Sequence, residues 1–127
     1  LTTRGLGAAI DSLAARLPLI VTVTVTEERY DPTLEAAAYF VVAEALTNVV
    51  KHAAAQEAHV RVDERGGGLC IEIRDDGRGG ADPDRGGGLR GLADRVAAFD
   101  GTVQLRSEPG AGTRVRVAIP LPSRAAP

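Results

Sequence analysis

Tryptophan and methionine are absent from this 127-residue sequence, and cysteine occurs once. With the lone Cys70, no disulfide framework can form within the chain, which fits a reducing compartment. Cys70 lies among strand-forming residues and is expected to be a small buried thiol. Aromatics are equally scarce: Tyr30, Tyr39, Phe40 and Phe99 only, so Ala, Val and Leu must build the core. The formal charge of −2 gives no electrostatic reason to expect nucleic acid or an anionic membrane as a partner. No signal peptide is visible, and no run of about 18 apolar residues that would span a bilayer is read. No G-x-x-x-x-G-K-[ST] motif occurs, so a nucleotide site here is not a P-loop. The chain starts on Leu1 rather than Met, as expected of one domain cut from a longer protein, and 122–127 reads as a disordered tail.

The residues that are present alternate between two periods. Leu6, Ile10, Leu13, Ala14 and Leu17 recur at helical spacing until Pro18, and Ile20 to Thr26 alternates Val with Thr as a strand. Asp31-Pro32 is a capped helix start, leading to a helix of about 20 residues that ends near Ala54. Ala58 to Glu64 and Leu69 to Asp75 alternate around Arg65-Gly66-Gly67-Gly68 and read as an antiparallel hairpin. Gly77 to Gly88 offers nothing to pack and reads as a mobile loop. Leu89, Leu92, Val96 and Phe99 return to helical spacing, and Thr102 to Arg106 with Thr113 to Ile119 forms a second strand pair. Three helices and five strands, mostly hairpin-connected, predict one α+β domain: a two-layer sandwich with helices on one face of a mixed, mostly antiparallel sheet.

Four segments carry candidate chemistry. On the long helix, Glu44, Asn48, Lys51 and His52 stand at i, i+4, i+7 and i+8 and share a stripe, while Val41, Val42, Ala45, Leu46, Val49 and Val50 are expected to bury the rest. Glu and Lys alone would be explained by a solvated face. But Asn48 is the only Asn in the chain, and Lys51 is the only Lys among 15 basic residues. A mid-helix Asn has poor propensity, its amide oxygen is a hard ligand suited to Mg2+, and an ammonium suits a phosphate oxygen as a point charge. Directly after a strand, Asp75-Asp76-Gly77-Arg78-Gly79-Gly80 is either a plain Asp-Gly turn or a carboxylate set to accept from an exocyclic amine, with glycines letting backbone approach a flat ring. Gly86-Gly87-Gly88-Leu89-Arg90-Gly91 matches the dinucleotide fingerprint G-x-G-x-x-G. No strand immediately precedes it, so the fingerprint is set aside, although glycines leading into a helix N-terminus can still hold phosphate. Gly110-Ala111-Gly112-Thr113 reads by itself as a hairpin turn.

In this order the four segments resemble the N, G1, G2 and G3 boxes of the GHKL ATPase superfamily, which includes histidine kinases, Hsp90, DNA gyrase B and MutL. Ala43 to Ala53, Gly88 to Val96 and the Ser107 to Thr113 run are most similar to sensor histidine kinases paired with NarL/LuxR-type response regulators. The resemblance covers about residues 5–121 and implies a Bergerat-type sandwich that binds ATP and Mg2+. It implies that Asn48 holds Mg2+, that Glu44 is the catalytic residue polarising the attacking group, and that Lys51 and His52 contact phosphate. Asp75 would bind the adenine amine beside Gly77 and Gly79, with Thr113 nearby. Gly86, Gly88, Leu89 and Gly91 would shape the lid and the phosphate-facing helix end, and Arg78 to Gly87 would be the lid. A homodimeric parent with this domain in the cytoplasm is implied, its membrane topology left open. Neither His52 nor His59 has the context of a phosphoacceptor, so the acceptor is expected on a separate dimerisation domain. Leu92 stands where Met is frequent, a volume-conserving change. An anti-sigma-factor-type serine kinase and a non-catalytic ATP-binding module are the alternatives.

Overall fold

The computed structural model describes residues 5–53, 55–77, 88–107, 110 and 112–122, with 52–53 and 88–90 described by backbone alone. The elements run α1 (Gly5–Ala14), β1 (Ile20–Val25), α2 (Pro32–Asn48) continued by a π-helical turn (Val49–Ala53), β2 (Glu57–Arg65), β3 (Gly68–Asp75), α3 (Gly88–Ala97), β4 (Thr102–Ser107) and β5 (Thr113–Pro120). The expected α+β sandwich is what forms. The five strands make one sheet in the order β1-β2-β3-β5-β4. Only β1 and β2 run parallel, because the α2 crossover joins them; the β2–β3, β3–β5 and β5–β4 pairs are antiparallel.

Binary patterning explains which way each strand faces. Ala58, Val60 and Val62, then Leu69, Ile71 and Ile73, then Val115, Val117 and Ile119 are buried beneath the helices with Val41, Val42, Leu46, Leu92 and Val96. Alternate residues project from the opposite face of the sheet. Burial of these branched side chains is the main source of stability, at about 1.5–3 kcal/mol for each fully buried one. α2 starts where expected: Asp31 accepts from the Thr33 amide at 2.8 Å and Pro32 takes the first turn. α3 is anchored by Leu92 and Val96, and Arg95 stacks over the Phe40 ring of α2, its Cζ 4.0 Å from the ring centroid. Gly101 follows the turn that closes that helix, where the chain comes close to the sheet. A Cβ there would overlap the Val96 side chain and stand 2.9 Å from the Ala118 carbonyl oxygen.

Four expectations need correction. α1 closes at Ala14 and β1 at Val25, earlier than the patterns run, so that Leu17 packs onto the core from the connection. Val50 is 41% exposed, since the π turn rotates it off the buried stripe. Cys70 is only half-buried: it falls between the inward Leu69 and Ile71 and therefore stands on the outer face, opposite Asp63. Burial, then the Asp63 charge, push its thiol above the ordinary range. Finally, Pro32–Lys51 is long and apolar enough to cross a membrane by length and composition, a consequence of its Ala/Val content, yet half of it is buried against the sheet. It is the central core helix.

Candidate functional site

Chain connectivity brings the candidate segments to one end of the sandwich. α2 runs toward that end, and the turn after it leads through residues 55–56 into the start of β2. There Ala58 pairs with Asp75, the last residue of β3, and Asp75 pairs in turn with Thr113, the first of β5. α3 runs the other way, because its C-terminus feeds Thr102, which pairs with Ala118 far along β5. Its N-terminus therefore lies at the Asp75 end. A helix C-terminus carrying Asn48 and Lys51, a strand-end carboxylate, a glycine turn and a helix N-terminus thus share one edge on the helical side of the sheet.

On α2, Glu44 and Asn48 are half-buried one turn apart, and Lys51 is exposed. The π turn begins immediately after Asn48, and the Val49 amide is shared between the Ala45 and Leu46 carbonyls as the helix widens. Such bulges recur at functional sites because they re-aim side chains that a regular helix would place elsewhere. The simple i, i+7, i+8 spacing therefore does not fix where Lys51 and His52 point. The His52 side chain lies outside the described residues.

The two adjacent aspartates divide the work. Asp76 is exposed, and its Oδ1 accepts from the Gln56 and Glu57 amides at 3.0 and 3.1 Å. The Glu57 and Gln56 amides hold its carboxyl below the usual range. It fastens the end of β3 to the start of β2. Asp75 turns inward and is 7% exposed; its Oδ1 accepts from the Gly77 amide at 2.8 Å. Burial raises its carboxyl above the ordinary value, against the opposing pull of the Gly77 and Thr113 amides. A buried carboxylate that the fold makes harder to ionise, at the end of a strand, is the kind of perturbed group that marks a binding site.

Gly112 lies against this carboxylate's backbone. Its φ is +76° and a Cβ would overlap the Asp75 carbonyl oxygen, so only glycine fits. Thr113 follows, with its hydroxyl 2.9 Å from the Ser107 Oγ. Ser107 thus orients Thr113, a role that sequence reading missed, since a Ser at a strand end looks like ordinary turn chemistry. Gly91 is exposed in the first turns of α3, and a Cβ there would meet nothing within 4 Å; the fold does not require glycine there. Gly88 and Leu89 open α3. Gly79, Gly86 and the rest of the expected lid, Arg78 to Gly87, lie outside the described residues, as do Ala54 and the tail from Ser123.

With this geometry in place, the comparisons with known proteins are specific. Residues 33–123 match the family described as histidine kinase-, DNA gyrase B- and HSP90-like ATPase. The chain belongs to that family. It is 33% identical over 97 residues to the signal transduction histidine-protein kinase/phosphatase DegS of Brevibacillus brevis, covering 74% of this chain and 25% of DegS. It therefore spans about a quarter of that curated relative. Among solved structures, the histidine kinase domain of the Erythrobacter litoralis EL346 blue-light activated kinase superposes with TM-score 0.77 at 26% identity, covering 92% of this chain and 61% of that one. The ATP binding domain of PrrB from Mycobacterium tuberculosis gives 0.71 at 26% identity, covering 93% and 92%.

Proposed function

We propose that the chain binds Mg-ATP as the catalytic domain of a sensor histidine kinase. The observation that carries this reading is the convergence of Asn48, Asp75, Gly112-Thr113 and the α3 N-terminus on one sheet end in a member of this ATPase family. In this reading the adenine amine donates to Asp75, Gly77 and Gly79 let the ring lie close to backbone, and Thr113 borders the base. Gly86, Gly88, Leu89 and Gly91 form the lid and the helix end, whose free amides and dipole suit phosphate. Asn48 suits Mg2+. Among the described residues no cluster of three or more His, Cys, Asp or Glu could form an all-protein cage, so a single amide oxygen fits an ion that arrives on the phosphates. When bound, Mg2+ neutralises charge on the transferring group. Lys51 and His52 add positive charge and hydrogen bonds at the phosphates, and Glu44 polarises the attacking nitrogen. Most of the rate enhancement then comes from positioning and electrostatics.

In the parent protein the γ-phosphoryl would pass to a histidine on a separate dimerisation domain, ADP leaving, and then to an aspartate of a NarL/LuxR-type regulator. The likeness to DegS, a signal transduction histidine-protein kinase/phosphatase, supports the kinase reading, and the parent is proposed as a homodimer with this domain in the cytoplasm. Calorimetry tests the binding step: Asn48→Ala should remove the Mg2+ dependence of ATP affinity, and an unchanged Mg-ATP isotherm would overturn the helix-face assignment. Radiolabelled ATP tests the chemistry when a dimerisation domain from a related kinase is supplied. Acid-labile label on its histidine is expected. Acid-stable label on a partner serine would establish the serine-kinase alternative, and binding without transfer would leave a regulatory module.

A further inference from the structure

The sheet face turned away from the helices has a charge pattern that the nucleotide reading does not use. In the register, His59, Arg74, Arg114 and Arg106 stand directly opposite one another across β2, β3, β5 and β4. The next row adds Arg61 and Arg116 around Glu72, whose Oε2 accepts from the Arg116 guanidinium at 2.9 Å. Arg114 reaches the same carboxylate only at 3.8 Å. Among the described residues, no carboxylate lies within ion-pair distance of Arg74 or Arg106. Like charges directly opposite on neighbouring strands destabilise a sheet, and among the described residues Glu72 is the carboxylate that faces Arg74, Arg114 and Arg116. At the strand ends the row reaches a cavity of ≈ 480 Å3 shared with the candidate site, lined by Arg74, Arg106 and Arg114 together with Asp75, Ser107, Gly112 and Thr113.

The partner's chemistry follows from what surrounds the row. A domain of net charge −2 does not attract polyanions at long range. The outer-face positions of β2–β5 carry no Phe, Tyr or Trp, so the His59 imidazole is the one ring there on which a base could stack. Arginine rather than lysine favours forked pairing with planar carboxylates. Strands repeat every ~4.8 Å, close to the ~6 Å that separates side chains at i and i+4 on a helix. We propose that this row docks a protein helix bearing Asp or Glu at successive i, i+4 positions. The proposal concerns the opposite face of the sheet and does not rest on the nucleotide reading, although the two surfaces meet at the cavity beside Asp75 and Thr113.

The test uses the 127-residue chain and a 20-residue helical peptide with Glu on one i, i+4 stripe. Controls are the same peptide with Gln, a 20-nucleotide single-stranded RNA, and phosphatidylglycerol vesicles. The Glu peptide should bind with strong salt dependence, and Arg74→Thr/Arg106→Thr should weaken it at least about tenfold. The melting temperature should stay level or rise, and Mg-ATP affinity should stay within about twofold. Arg74→Glu/Arg106→Glu should lose the Glu peptide and bind instead a version of it with Lys at the stripe positions. Several results would overturn the proposal: equal binding of the Gln peptide, unchanged affinity in the double variant, or tighter binding of RNA or vesicles at the same salt. A fall in melting temperature would make the arginines structural, and parallel loss of Mg-ATP would assign them to the nucleotide site.

Discussion

Gly112 and Asp75 depend on each other through one close approach. Because the Gly112 Cα packs against the Asp75 carbonyl oxygen at φ +76°, Gly112→Ala must both strain its own backbone and move the strand end that holds the carboxylate. A loss of about 2–4 kcal/mol is expected from strain and overpacking together, with nucleotide affinity falling in parallel. Gly110 is the internal control: its φ is +81° but a Cβ there meets nothing within 4 Å, so Gly110→Ala should cost only about 1 kcal/mol. Equal melting temperatures for the two variants would refute the close-approach argument. Asp75 carries the opposite kind of tension. Its folded pKa lies above the ordinary 3.8, so the folded state holds the proton to higher pH than the unfolded chain, and stability falls as pH rises through that window. At neutral pH the ionised group is a net cost. Asp75→Asn, which cannot ionise and whose amide oxygen can still accept from Gly77, should therefore raise the melting temperature in the absence of nucleotide. The same change should weaken ATP about tenfold or more and relax the preference for ATP over GTP. A lower melting temperature together with unchanged ATP affinity would contradict both halves.

At the scale of elements, the entry into α2 rests on a charge pair that patterning could not reveal. Glu35 in the first turn is 2% exposed and receives the Arg29 Nε at 3.1 Å and the Tyr30 amide at 3.1 Å. The Arg29 guanidinium holds its carboxyl below the usual 4.5. A depressed carboxylate contributes stability that is present above the unfolded value and is lost as pH falls through the folded one. Arg29→Ala should thus lower the melting temperature at pH 7, and the gap from the parent should close as pH drops below about 4.5. A gap independent of pH would mean that Arg29 acts by packing alone. Sequence reading passed over Glu35 because a Glu in a first helical turn is ordinary dipole chemistry, and its burial is a tertiary fact. The elements themselves were legible: alternating Val and Ile fixed each strand's inward face, and Asp31-Pro32 marked the start of α2. The π turn at Val49–Ala53 was not, since no residue type demands one, and with it went the orientation of Lys51 and the exposure of Val50. Asn48 and Asp75 stood out for composition and position, whereas Ser107 could be recognised only once its hydroxyl was seen against Thr113.

For the molecule as a whole, the candidate site occupies one end of the sandwich and the hairpin Arg65–Gly68 the other, since Gly68 pairs with Pro120 while Asp75 pairs with Thr113. A ligand at the site end ties the α2 and α3 termini to the ends of β3 and β5, which already pair with each other. Binding to the folded state alone stabilises it by mass action, about 2.7 kcal/mol at a hundredfold excess over Kd. For a domain of this size that corresponds to a rise in melting temperature on the order of 10 °C. The gain is global in a melting curve but need not be uniform in local opening. Hydrogen exchange with saturating Mg-ATP should therefore slow most at residues 48–53, 75–77, 88–91 and 112–113. Exchange in the 65–68 turn should change only by the global increment, because no ligand contact reaches it. Asn48→Ala should erase the pattern together with the thermal shift. Protection centred instead on the arginine-bearing outer face, at Arg74, Arg106 and Arg114, would place the nucleotide on the wrong side of the sheet and overturn the assignment of the site.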